Sequence, residues 1–195
     1  MKKLLIKDIN SGNLNSLYYL IKKKISNDVI IGNSKKSIKE ASHIILPGVG
    51  SFPNVMEKLN KNICVKTLKE NILIKKKPFL GICIGMQVLY SSSNEFGYTK
   101  GLNILKGKVL KLKRPNIGWM TTRKIKNNKI FLDNHDLKEF YFLHRFYVKS
   151  DKNTVVKTKN GIASVVNYKN IYGIQFHPEN SHNQGREILN NFLNI

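Results

Sequence analysis

Pro78-Phe79-Leu80-Gly81-Ile82-Cys83-Ile84-Gly85-Met86-Gln87 decides the fold of this 195-residue chain. The apolar run 79–82 has the length and character of a buried parallel strand. It ends on a cysteine with glycine at both second neighbours, and Met86, Leu89 and Tyr90 then recur at helical spacing. Strand, cysteine, helix is the nucleophile-elbow arrangement, with Cys in place of Ser in G-x-S-x-G. A nucleophile pushed out on so tight a turn takes a strained backbone conformation, and side chains two residues away would collide across the turn. A helix starting there aims N–H groups and partial positive charge at the sulfur, which favours thiolate. Taken alone, the pattern also fits a buried strand cysteine between two packing glycines. A base elsewhere in the chain has to decide between them.

Outward from this stretch, strands and helices alternate. Residues 4–9 form a first apolar strand, closed by the turn Asn10-Ser11-Gly12-Asn13. Leu14, Leu17, Tyr18 and Ile21 give a helix with a lysine-rich end. Residues 28–31 and 43–46 are two more strands, the second ending at Pro47-Gly48-Val49-Gly50, and helical patterning follows over 55–59 and 63–74. This alternation predicts an α/β fold with a mostly parallel central sheet flanked by helices. Function in such sheets collects at the carboxyl ends of the strands. Past Ser91-Ser92-Ser93 the texture changes to short strand-like runs at 108–112, 129–132, 140–148, 154–158, 163–168 and 171–176. They predict an added, largely antiparallel section, closed by a helix over 186–193. The length fits one domain over residues 1–195.

The net charge of +22 invites a nucleic-acid reading. Lysine is spread along the whole chain, however, and arginine appears only at 114, 123, 145 and 186. No zinc-finger spacing or aromatic RNA-binding strand accompanies the charge. Nonspecific, salt-sensitive binding is the expectation, with no specific nucleic-acid partner. No window approaches the ~20 apolar residues of a membrane helix. The N-terminus meets charge almost at once, unlike a signal peptide. Cys64 and Cys83 suggest no disulfide framework, so a reducing cytoplasm is the expected setting. Neither a cofactor nor a metal site is expected, since His177 and His182 have no further ligand nearby.

The base comes from Gly173-Ile174-Gln175-Phe176-His177-Pro178-Glu179. A strand-end histidine with a carboxylate two residues on supplies a base and its orienter, and the proline fixes one backbone angle between them. His-Pro-Glu alone is also compatible with a surface turn. Cys83 and His177 nevertheless both end strands, in a fold class that gathers strand ends at one rim. Gly48, Val49 and Gly50 end a third, and their backbone N–H groups, beside that of Ile84, suit an oxyanion hole.

These motifs, with Ser11-Gly12-Asn13-Leu14-Asn15-Ser16, Leu46-Pro47-Gly48-Val49-Gly50-Ser51-Phe52, Ile117-Gly118-Trp119 and Tyr141-Phe142-Leu143-His144, resemble a class I (triad) glutamine amidotransferase of flavodoxin-like fold. More narrowly, the likeness is to the glutaminase subunits of imidazole glycerol phosphate synthase, and it covers nearly the whole chain. The resemblance implies Cys83 as nucleophile, His177 as base and Glu179 as its orienter. It implies an oxyanion strand at Gly48, Val49 and Gly50 and a substrate contact from Gln87. L-glutamine would be hydrolysed through a Cys thioester, and ammonia would pass to a cyclase (β/α) barrel held on a separate chain. Asn13, Trp119, Tyr141 and Asn180 would face that barrel. Members of the family are poorly active without the partner.

The chain departs from the family pattern at Ile9 and Asn10, where Tyr-Gly is usual. Asn116, Met120 and Asn180 depart at positions tied to docking, and Arg145 replaces a small hydroxyl residue. Other readings are a glutaminase feeding a different synthase, such as one of amidino-sugar synthesis, a Cys-His hydrolase such as a peptidase, and a basic binding protein with a relic site. Trp119 fits either the interface or the core. His144 fits either a satisfied core histidine or a site residue, and Cys64 fits the core.

Overall fold

The computed structural model describes residues 3–7, 14–24, 28–62, 65–132 and 137–195. Asp8 through Asn13, with the expected interface residue Asn13, and Cys64 lie outside the described residues. The first half runs β1 (Leu4–Lys7), α1 (Leu14–Lys24), β2 (Val29–Gly32), α2 (Lys35–Glu40), β3 (His43–Leu46), α3 (Phe52–Asn62), α4 (Val65–Lys69), β4 (Phe79–Ile82) and α5 (Ile84–Gln87). The second runs β5 (Ser92–Ser93), β6 (Thr99–Lys100), β7 (Lys108–Lys124), β8 (Leu137–Tyr147), β9 (Thr154–Thr158), β10 (Ala163–Tyr168), β11 (Ile171–Ile174) and α6 (His182–Leu193).

The strands form one sheet in the order β2-β1-β3-β4-β11-β10-β9-β7-β5-β6, with β8 on β7. The first five are parallel. Their order is the flavodoxin-like 2-1-3-4-5, with β11 in the fifth place although it comes last in sequence. From β10 through β9 and β7 to β8 the pairing is antiparallel. The α/β fold with an added antiparallel section is therefore the one the sequence predicted.

Successive side chains of a strand point to opposite faces, and the core divides accordingly. Leu5, Ile44, Leu46 and Phe79 join one apolar cluster with Ile38, Val55, Leu59 and Leu68 of α2, α3 and α4. Leu4, Ile6, Ile45 and Leu80 join the other with Leu17 and Ile21 of α1 and Ile188 and Phe192 of α6. Both faces are covered, as the unbroken apolar runs of these strands require.

Several elements differ from the sequence reading. α2 was not foreseen, because Ile38 is its one buried residue; Ser34 starts it by accepting the Ser37 N–H at 3.0 Å. α4 continues into a π-helical turn over Glu70–Ile74. Residues 129–132 are not a strand. Asn128 accepts the Ile130 N–H through its side chain at 3.0 Å, which turns the chain and buries Ile130 and Phe131 together. β7 is much longer than 108–112: its lysine-rich, half-exposed sequence hides the alternation. Its register against β8 slips between Lys111 and Asn116, where Pro115 withholds an N–H from the ladder.

Candidate functional site

Three strand ends meet at the site, and the elbow is its centre. Cys83 has φ 53° and ψ −109°, a conformation costing an L-residue about 1–3 kcal/mol. Hydrogen bonds on both sides hold it. Its N–H donates to Ile174 O at 2.7 Å, and its carbonyl accepts from Met86 and Gln87 at 3.0 and 3.2 Å. The glycines explain how the turn fits. A Cβ on Gly81 would run into the backbone carbonyl of Gly85, across the turn as expected, whereas one on Gly85 would meet the Leu46 carbonyl of β3 instead. α5 is a single turn, so the sulfur faces a few free N–H groups at its start rather than the dipole of a full helix.

Cys83, Gly48, Val49, Gly50, Ile84, Gln87 and His177 all line one pocket of about 340 Å³. His177 follows β11, its N–H bonded to Tyr141 O at 2.9 Å. Pro178–Asn180 then make one 3-10 turn, and the imidazole Nδ1 meets Glu179 Oε1 at 2.9 Å. Both side chains are almost fully buried. Burial alone would lower the His177 pKa. The Cys83 sulfur, then the Glu179 carboxylate, outweigh that and push it up to about 10. Among the described residues Nε2 has no hydrogen-bond partner, although it is buried at the pocket that Cys83 also lines. The arrangement can take a proton from the thiol and hold the resulting cation against a carboxylate.

Gln87 borders the pocket, but both N–H directions of its amide are committed, to Phe146 O at 2.7 Å and Gln175 Oε1 at 3.0 Å. Its buried oxygen is without a partner among the described residues. His144 is a wall of this pocket as well as a satisfied buried histidine. Its Nδ1 bonds Phe146 O at 2.9 Å, and burial leads in lowering its pKa to about 4. Being neutral, it accepts at Nε2 from Asn116 at 3.4 Å.

Two charged pocket residues were not recognised as such in the sequence. Glu95 accepts the Phe52 N–H at 2.7 Å, and its carboxyl pKa is raised, chiefly by burial. A carboxylate held in a turn stands out in a chain with 12 acidic residues against 34 basic ones. Arg145, noticed only as a departure, also lines the pocket. Among the described residues no group of His, Cys, Asp or Glu is arranged to hold a metal ion. No helix among them is long and apolar enough to cross a membrane.

Trp119 is on the surface, 45% exposed, not in the core. It pairs with Tyr141 across β7 and β8, next to the exposed pair Ile117–Leu143, and its ring stacks on His182 at 5.0 Å. Asn180 is exposed. Asn116 and Met120 are not on this face. They alternate with Ile117 and Trp119, so Met120 packs inward while Asn116 bonds His144.

Residues 5–195 match the glutamine amidotransferase class-I family. The chain belongs to that family. This amidotransferase is 38% identical over 200 residues to imidazole glycerol phosphate synthase subunit HisH 2 of Vibrio vulnificus, covering 98% of this chain and 94% of that one. It is likewise 38% identical to subunit HisH of Methanocaldococcus jannaschii, over 96% of this chain and 97% of the relative. Within the family it therefore belongs with the HisH subunits. The fold of the amidotransferase is similar to that of a chain in the PurLQS structure from Thermotoga maritima, with TM-score 0.76 at 18% identity over 100% of this chain and 99% of that one.

Proposed function

We propose that this amidotransferase, as one domain over residues 1–195, is the glutaminase subunit of an imidazole glycerol phosphate synthase, working in the cytoplasm on the histidine pathway. The observation that carries the reading is the convergence of Cys83, the His177–Glu179 pair and the Gly48–Val49–Gly50 segment on one pocket. His177 takes the thiol proton of Cys83, and the sulfur attacks the side-chain amide carbon of L-glutamine. Backbone N–H groups of the Gly48–Gly50 segment and Ile84 receive the oxyanion. His177 returns its proton to the leaving ammonia. Water then cleaves the thioester, releasing glutamate and restoring the thiol. Glu179 holds the imidazole in one tautomer throughout.

Substrate recognition follows from the pocket's charges. Glu95 and Arg145 offer opposite charges to the α-ammonium and α-carboxylate of an amino acid. Burial raises the Glu95 pKa, and an incoming ammonium would offset that cost. The Gln87 oxygen is left to accept one further N–H.

The partner is a separate cyclase barrel. Ile117, Trp119, Tyr141 and Leu143 form two adjacent cross-strand pairs on one face of the β7–β8 ribbon, and Ile117 and Leu143 also line the pocket. An exposed aromatic and aliphatic cluster rimming a reaction pocket suits a docking face. Asn180 is exposed two residues before His182, whose ring stacks on Trp119, and is assigned to the same face on that ground. The test is glutamate release from glutamine with and without the histidine-pathway cyclase and its nucleotide ligand. Stimulation by that cyclase is the expected result. Turnover that ignores it and rises with another synthase would keep the chemistry and move the protein to a different pathway.

A further inference from the structure

The Cys83 sulfur has a neighbour that the nucleophile, base and orienter do not include. Gln175 directly follows β11, two residues before His177, and is completely buried. Its Nε2 lies 3.6 Å from Cys83 Sγ. Leu143 O faces the sulfur from β8 at 3.9 Å and is an acceptor only. A side-chain amide can point either way, and its hydrogen-bond neighbours decide which. The Phe146 carbonyl settles it. A main-chain oxygen only accepts, so Gln87 turns its NH₂ toward it, at 2.7 Å. That same NH₂ is 3.0 Å from Gln175, which must present oxygen to it. The Gln175 NH₂ is then left facing the sulfur. Reversing Gln175 would set its NH₂ against the NH₂ of Gln87, with both groups buried.

We infer that Gln175 is a further catalytic residue, an amide donor aimed at the Cys83 sulfur by a relay from the Phe146 carbonyl through Gln87. The inference rests on Cys83 being the nucleophile. A donor to sulfur favours its charged form. The thiolate is charged before attack, neutral in the thioester, and charged again as water displaces it. The N–H therefore raises the thiolate fraction of the free protein and helps most in thioester breakdown, where sulfur regains charge. The relay also gives Gln87 a task distinct from touching substrate, since both of its donors are committed to protein acceptors.

The test is the pH dependence of Cys83 alkylation by iodoacetamide on the full chain, followed by peptide mass so that Cys64 is counted separately. Gln175→Leu removes the donor. The alkylation midpoint should rise by about one pH unit, with a roughly tenfold slower reaction below it. In the complex with a stimulating synthase, thioester should accumulate during glutamine turnover. A wild-type alkylation profile in a Gln175→Leu protein with unchanged circular dichroism would overturn the inference. Should Gln175→Leu fail to fold, Gln175→Glu decides, since it keeps the shape and the acceptor for Gln87 while setting a carboxylate against the sulfur. It should raise the midpoint further, and an unshifted midpoint refutes the donor. The alkylation readout needs no glutamine, so absence of glutaminase activity in the wild type would count against the proposed function and not against this donor.

Discussion

At the scale of single residues, Cys83 concentrates both strain and chemistry. Cys83→Ala is expected to lower glutamine turnover in the assembled complex at least ~10⁴-fold, because losing the nucleophile disables the other groups with it. Steady-state glutamate release would measure this, and near-wild-type turnover would sink the assignment. Gly81→Ala should cost about 1–3 kcal/mol or more, since its methyl meets a backbone carbonyl that no rotamer can move aside. Urea unfolding reads that directly. His144 supplies a pH prediction. Its pKa is lowered to about 4 in the folded protein, from 6.5, so the unfolded chain binds more protons between those values. Its contribution is fully present above about pH 6.5 and is lost as the pH falls toward 4, by about 3 kcal/mol at most. His144→Asn should flatten the stability-versus-pH curve in that window relative to wild type, and parallel curves would refute the assignment of the slope to His144.

At the scale of elements, the catalytic histidine proposed here depends on a seam between β8 and the turn after β11. Ser181 is fully buried. Its hydroxyl donates to His177 O at 2.7 Å and accepts the Tyr141 N–H at 3.0 Å. Gly185 lets α6 approach the Pro178 carbonyl, where a Cβ would collide with it. Ser181→Ala should destabilise the fold by about 1–3 kcal/mol, because two interior backbone groups lose a partner. Turnover should fall as well, by more than substrate affinity does, since the residue displaced is His177. A variant whose unfolding midpoint and turnover both match wild type would show that the seam is not what positions the histidine.

At the scale of the whole molecule, a basic body carries an apolar patch that borders the pocket. Trp119→Ala should weaken cyclase binding by roughly 30-fold or more, in line with a central aromatic anchor, and barely move the melting temperature of the free chain. Calorimetric titration would check it; unchanged affinity would remove Trp119 from the interface. The net charge of +22 makes a separate prediction. Retention on heparin or DNA should be strong at low salt and gone at a few hundred millimolar, because evenly spread lysines bind polyanions by counterion release. Retention that survives high salt would instead point to a specific site.

Much of this was legible in the chain. The elbow, the strand-end histidine with its glutamate, and the alternation of apolar runs are local patterns, and local sterics and periodicity dictate them wherever the segment sits. The parallel half followed because a strand buried on both faces must be apolar throughout. β7 was only partly visible, because an exposed ribbon is under no such demand, and residues 129–132 looked strand-like until Asn128 turned them. The tertiary structure alone decided which distant groups meet. Glu95 and Arg145 share a pocket, Asn116 and Met120 turn away from the docking face, and the Phe146 carbonyl orients Gln87 from 59 residues away along the chain and, through it, Gln175. Such juxtapositions depend on strand order and register, and no spacing along a sequence encodes which rim a later strand will join.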